Sequence, residues 1–209
     1  MIVDIFNTDK KYSVIYADPP WSYYNDVDAP PDVTTTVGMR RPPYYVLGSN
    51  TIKNLPVEKI AEDDAILFLW VTDYHLVKGL EIMSVWGFEY KTIGFVWAKK
   101  NLDRSSVVFT GAYTMKSGVE LCLLGTKGKN AKKLVINHKV RSLVESIREE
   151  HSKKPVEVLW RIVNLVGTKV NKIELFAREQ YKGWDCWGNE IRKKGSRLID
   201  WYELKLEEA

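Results

Sequence analysis

The sequence predicts an α/β protein, a single domain over residues 1–209 built on one doubly wound, mostly parallel sheet. Three observations carry this. Short apolar runs of strand length recur without polar alternation, as in strands covered on both faces. Helical patterns stand between those runs, and strands alternating with helices form right-handed parallel crossovers. The chain, at 209 residues, is long enough to bury a full core without disulfides or metal.

Strands are expected at 13–17, 65–71, 90–98, 119–125 and 172–177. The second of these, Ala65-Ile66-Leu67-Phe68-Leu69-Trp70-Val71, has no polar residue at all. A helix is expected over 73–86, where Asp73 can cap, Leu76, Leu80 and Met83 form a stripe, and Gly87 stops it. Another is expected over 153–166, with Pro155 in the first turn, Leu159, Ile162, Val163 and Val166 as the buried face, and Gly167 as the end. Residues 22–50 and 100–118 fit neither pattern and are too long for ordinary connections, which marks them as functional loops. Residues 190–206 read as a basic-to-amphipathic C-terminal tail.

Composition narrows the function classes. Hydrophobic residues make up 45% and charged residues 28%, an ordinary soluble profile. No apolar run approaches the roughly 20 residues of a membrane span, and the first residues lack a secretory pattern. Cys122 and Cys186 are too few and too far apart for a zinc site or a disulfide framework, so no metal is expected and the setting is a reducing cytoplasm. The net charge of +4 is mild, but it is concentrated in clusters: Arg40-Arg41, 127–133 and 192–197. Eight Trp and eleven Tyr supply faces on which nucleic-acid bases could stack.

The first strand ends at Asp18-Pro19-Pro20-Trp21. That carboxyl edge is where open α/β sheets place ligands. An exocyclic amine on a heterocycle is a poor nucleophile, because its lone pair is delocalised into the ring. Two hydrogen-bond acceptors aimed at its N–H groups pull the nitrogen toward tetrahedral geometry. The Asp18 carboxylate supplies one acceptor. The Pro19 carbonyl supplies the other, in a backbone that Pro-Pro stiffens. Trp21 would stack on the extruded base, a contact worth about 1–3 kcal/mol. The chemistry this favours is methylation of an amino group, adenine N6 above all. Tyr23 and Tyr45 are further candidate stacking residues, and Lys99, Lys132 and Lys133 candidate nucleic-acid contacts.

This tetrapeptide resembles the catalytic motif of the N6-adenine methyltransferases related to the catalytic subunit of the eukaryotic mRNA adenosine methyltransferase, a family with bacterial and phage members that modify DNA. The resemblance continues in order through Leu67-Phe68-Leu69-Trp70-Val71-Thr72, Trp86-Gly87-Phe88-Glu89, Val96-Trp97-Ala98-Lys99, Glu120-Leu121-Cys122-Leu123-Leu124-Gly125-Thr126-Lys127-Gly128, His151-Ser152-Lys153-Lys154-Pro155, Lys172-Ile173-Glu174-Leu175-Phe176-Ala177-Arg178 and Trp187-Gly188-Asn189. It implies a Rossmann-like methyltransferase sheet with permuted motif order, the catalytic motif first and the nucleoside-binding strand last. It implies S-adenosylmethionine as methyl donor. Asp4 and Ile5 would hold the donor's adenine, Asp18 its ammonium, and Lys154 its carboxylate from the start of a helix. Phe176 lies in the donor strand; Arg178, Gln180, Asn189 and Glu190 would meet the ribose and adenine. The pattern departs from the family at Ala177, Gln180, Tyr181 and Glu190, where glycine, histidine, asparagine and glutamine are common. Glu174, inside an apolar run, reads as a structural carboxylate in need of a partner.

DNA is expected as the partner ahead of RNA, because no RNA-binding module accompanies the motifs. Enzymes it resembles pair with themselves or with a homologue, so a homodimer or heterodimer is also implied. A catalytically silent partner subunit is the competing class, disfavoured by the intact Asp18. Cytosine N4 methylation would use the same geometry but more often has Ser in place of Asp.

Overall fold

A computed structural model describes residues 1–23, 26–29, 44–111, 113–149 and 153–191, and the backbone of 198 and 199. The Arg40-Arg41 and 192–197 clusters, most of the 22–50 loop, His151, Ser152 and nearly all of the tail lie outside the described residues.

Each long apolar run forms a strand: β1 (Tyr12–Ala17), β2 (Ala61–Val71), β3 (Glu89–Lys100), β6 (Val119–Lys127) and β8 (Lys172–Leu175). Two strands that the sequence reading did not expect, β7 (Leu143–Ile147) and β10 (Asp185–Trp187), complete a seven-stranded sheet of order β10-β8-β1-β2-β6-β3-β7. The sheet is mostly parallel, with β6 alone running against its neighbours β2 and β3. Beside it, β4 (Val108–Thr110) and β5 (Met115–Ser117) form a hairpin, and β9 (Gln180–Tyr181) pairs with β11 (Leu198–Ile199).

Helices cover both faces. On one face α1 (Ser49–Lys53), α2 (Val57–Ile60) and α3 (Leu76–Val85) bury Ile52, Ile60, Ile82 and Met83 against Ile15, Ala17, Leu67 and Leu69. On the other, α4 (Glu157–Val166) buries Val158, Leu159, Ile162 and Val166 against Val14, Tyr16, Ile66, Phe68 and Trp70. Successive residues of β1 and β2 therefore point into opposite cores, which is why their sequences lack polar alternation. Each fully buried side chain of this kind contributes about 1.5–3 kcal/mol.

Two helix starts differ from expectation. Asp73 makes no side-chain cap; residues 73–75 form a tighter 3-10 turn and the Asp73 carboxylate pairs with Lys116. The helix after Lys154 begins only at Glu157, so Lys154 sits in the connection that precedes it. The expected strand 172–177 stops at Leu175 because Phe176 adopts a left-handed backbone, φ +62.

The functional loop after β1 is anchored at both described ends. Ala29 pairs with Val46, Asp26 accepts from the Ser49 N–H at 2.8 Å, and Asp28 accepts from the Gly48 N–H at 2.7 Å. Gly48 is required by this approach, since a Cβ there would lie 2.3 Å from the Asp26 carbonyl oxygen. Gly48→Ala is expected to cost about 1–3 kcal/mol, as over-packing does when backbone must shift. Urea denaturation of the two proteins measures it.

Candidate active site at the carboxyl edge of the sheet

Because β1, β2, β3, β8 and β10 run in one direction, their carboxyl ends share one edge of the sheet. The reversed β6 brings its beginning to the same edge. Asp18 follows β1, Thr72 follows β2, Lys99 is next to last in β3, Glu120 is second in β6, Phe176 follows β8, and Gly188 follows β10. Six segments distant in sequence thus supply one site.

At its centre the Lys154 ammonium stands between two carboxylates, 2.7 Å from Asp18 Oδ1 and 3.1 Å from Glu120 Oε2. Glu120 also pairs with Lys99. All four side chains are largely buried. Burial would lower the Lys154 pKa, but Asp18 and Glu120 reverse that and hold the ammonium charged. Burial likewise works to raise Glu120, yet Lys154 and Lys99 outweigh it and keep the carboxyl below the usual range. At Asp18 burial prevails and raises the carboxyl, with Lys154 opposing. Trp70 lies beneath: the Lys154 nitrogen is 5.6 Å from its ring centroid, and its indole N–H donates to Tyr16 Oη at 2.7 Å. The same residue's carbonyl accepts the Trp21 indole N–H at 3.0 Å.

The proline step is closed on itself, with the Trp21 N–H donating to the Pro19 carbonyl at 2.9 Å and the Leu47 N–H to the Pro20 carbonyl at 2.8 Å. One lone pair of the Pro19 oxygen is thus engaged and one remains for a ligand. Trp21 is buried, 6% exposed, and stacked on His75 at 5.1 Å. Tyr23 is the neighbouring aromatic that reaches solvent, at 42%.

A second group of residues gathers at the ends of β8 and β10. The Trp187 ring meets Phe176 edge-on at 5.4 Å and Phe6 at 6.1 Å. The N-terminal segment runs beside β10, which carries the exposed Asp4 and the buried Ile5 to this corner. Asp4 accepts from the Phe6 N–H at 3.1 Å and from Asn7 at 2.7 Å. Arg178 stands 3.6 Å from Glu190 and 5.6 Å from the centroid of Tyr44. Gly188 has no room for a side chain, since a Cβ would sit 2.2 Å from the Ala177 carbonyl oxygen. Asn189 follows it, Gln180 opens β9, and Tyr45 is exposed beyond Tyr44.

Lys132 and Lys133 are not brought to this edge. They lie in the turn Ala131–Leu134 after Lys127, which is level with Ala65 at the other end of β2. Among the described residues no His, Cys, Asp and Glu group could hold a metal ion, and no helix is long and apolar enough to cross a membrane. Sequence reasoning passed over Glu120, Trp70 and His75 as site residues. Glu120 carried a usable signal: an acid within an apolar strand needs a cationic partner, the argument applied to Glu174.

For Glu174 itself, no hydrogen bond reaches its buried Oε2. Burial, with Asp18 and Glu179 nearby, pushes its pKa from 4.5 up to about 8. Below pH 4.5 both folded and unfolded forms hold the proton, and the residue is neutral toward stability. Between 4.5 and 8 only the unfolded form ionises, so stability falls as pH rises, by up to about 1.4 kcal/mol per pH unit. Glu174→Gln is therefore expected to match the parent near pH 4.5 and to be the more stable protein at pH 8. Denaturant midpoints at the two pH values test this.

A family model described as MT-A70 matches residues 12–190. The type II methyltransferase M.MunI of Mycoplasma sp is 38% identical over 192 residues, 87% of this chain and 78% of that protein. The human N(6)-adenosine-methyltransferase catalytic subunit METTL3 is 32% identical over 195 residues, 91% of this chain but 30% of its own. The MT-A70-like N(6)-adenosine-methyltransferase of Drosophila melanogaster is 29% identical over 194 residues, 91% of this chain and 28% of its own. This chain thus spans under a third of those two longer relatives. With the match running from the start of β1 through the Arg178–Glu190 corner, the chain belongs to the MT-A70 family.

Proposed function

We propose that this protein is an S-adenosylmethionine-dependent methyltransferase of adenine N6 in DNA. The observation that carries the reading is the Asp18 carboxylate, held by Lys154 beside the Pro19 carbonyl at the sheet's carboxyl edge. A hydrogen-bond acceptor of this kind must be aimed before the base arrives, and Lys154 sets that aim.

The corner around Trp187 fits the donor. It offers an exposed carboxylate at Asp4, aromatic edges at Phe6 and Phe176, a backbone cleared by Gly188, and the Arg178, Asn189 and Glu190 polar groups. When bound there, S-adenosylmethionine supplies an electrophilic methyl group on a sulfonium. Asp4 and Ile5 would hold its adenine, Arg178, Gln180, Asn189 and Glu190 its nucleoside, and Asp18 its ammonium. Lys154 adds positive charge for the carboxylate. Asp18 and the Pro19 carbonyl accept hydrogen bonds from the target amine, which raises the lone-pair density at nitrogen as the methyl group moves. Glu120, in this reading, holds Lys154 toward Asp18. The exposed Tyr23 offers a flat face for a base out of the helix stack.

This assignment makes the motif order a permuted one, with the catalytic edge on β1 and the donor strand at β8. The M.MunI relationship, nearly full-length on both sides, supports a DNA substrate and a bacterial cytoplasmic setting. A self-associated or paired form is compatible with it.

Incubation with donor and double-stranded DNA, single-stranded DNA or RNA, followed by nucleoside mass spectrometry, tests the proposal. N6-methyldeoxyadenosine is expected, reduced more than about a hundredfold in Asp18→Ala, the scale on which a single preorganised electrostatic group acts. N6-methyladenosine from RNA alone would transfer the assignment to RNA. The position of Lys132 and Lys133 carries its own expectation. Their double charge reversal leaves turnover unchanged and weakens DNA binding by less than about twofold at moderate salt, because they lie toward the opposite end of the sheet and exposed charges are screened over a Debye length of about 8 Å. Filter binding measures it.

A further inference from the structure

His75 lies just beyond β2, 1% exposed, in the turn before α3. Its Nε2 is 3.0 Å from the Ser22 carbonyl oxygen, and its Nδ1 is 2.9 Å from Thr72 Oγ1. A carbonyl only accepts, so Nε2 carries the proton. In the neutral ring Nδ1 then accepts from the Thr72 hydroxyl. Burial holds the imidazole below its ordinary pKa, consistent with that neutral form. Thr72 O–H, His75 and the Ser22 carbonyl thus form one directed chain that ties the end of β2 to the loop carrying Trp21 and Tyr23.

The ring's surfaces are used as fully as its nitrogens. One face of His75 stacks on Trp21, with planes 21° apart. Tyr23 meets it edge-on at 4.7 Å and Tyr74 at 5.0 Å. Here reversing the tautomer would set the Nε2 lone pair against the Ser22 carbonyl oxygen and break that bond.

We infer that His75 is a positioning residue for methyl transfer, locking Trp21 and Ser22 in place and holding the Tyr23 ring upright as the stacking platform for the target base. The inference rests on the methyltransferase reading and deepens it. It also assigns the base-stacking role expected of Trp21 to Tyr23, since Trp21 is packed beneath His75 and tied to the Trp70 carbonyl.

Two variants separate the contributions. His75→Phe preserves a ring against Trp21 but leaves the Ser22 carbonyl and the Thr72 hydroxyl without their partner. His75→Gln returns an N–H donor within reach of the Ser22 carbonyl and gives up the ring. In the full-length protein, with saturating donor and DNA, His75→Phe is expected to lower kcat by about tenfold, within the roughly hundredfold that a 1 Å misplacement can cost. Its donor Kd by calorimetry stays at the parent value, and His75→Gln recovers most of the kcat although its thermal stability is no higher. A parent-like kcat in His75→Phe overturns the inference while leaving the methyltransferase assignment intact. So does an equal loss of donor affinity and kcat in both variants, which is the signature of general damage. Absence of methylated adenine with the parent protein overturns the assignment and the inference together.

Discussion

A buried ammonium between two carboxylates governs this structure. Taking Lys154, Asp18 and Glu120 out of water costs several kcal/mol per ion, and their attraction offsets that only when the geometry is close to ideal. The 2.7 and 3.1 Å contacts meet that condition, and Lys99 balances the second carboxylate. Well-packed apolar residues would serve stability as well or better. What the ions add is direction, because Asp18 can rotate only by abandoning a charged partner inside the protein. Three sheet strands and the connection before α4 must all stand in register for the four groups to meet. The site is therefore also a check on the fold.

Trp70 joins this charged layer to the core. It is the penultimate residue of the central strand β2, and its ring packs with the α4 face while its carbonyl serves the opposite side of the edge. Through it the cation, the Tyr16 hydroxyl and the Trp21 indole share one rigid support. The loop after β1 is held a second time by His75 and a third time by the Pro20 carbonyl contact to Leu47. Redundant anchoring of this kind fixes the separation of the Asp18 carboxylate and the Pro19 carbonyl.

Much of this was legible in the residues. Short apolar stretches such as Ala65 to Val71 fit strands covered on both faces, and β1, β2, β3, β6 and β8 formed over the runs that the sequence marked. Asp18-Pro19-Pro20-Trp21 announced an edge with acceptors. The short strands β7 and β10 were not legible, since Asp185, Cys186 and Trp187 form a strand only because β8 offers its free side. Nor were the partners of Trp21 and Lys154. A motif tells which groups are adjacent in the chain, and both of these face groups more than 45 positions away.

The sequence by itself determined the five long strands, the two longer helices, the location of the acceptor motif and the kinship of the chain, because periodicity and short motifs are local properties. The tertiary structure alone decided which charges meet. The antiparallel course of β6 carries Glu120 to the edge where Asp18 stands and, by the same reversal, removes Lys132 and Lys133 to the other end of the sheet. Strand direction is chosen by the burial of two faces at once, and no single segment holds that information.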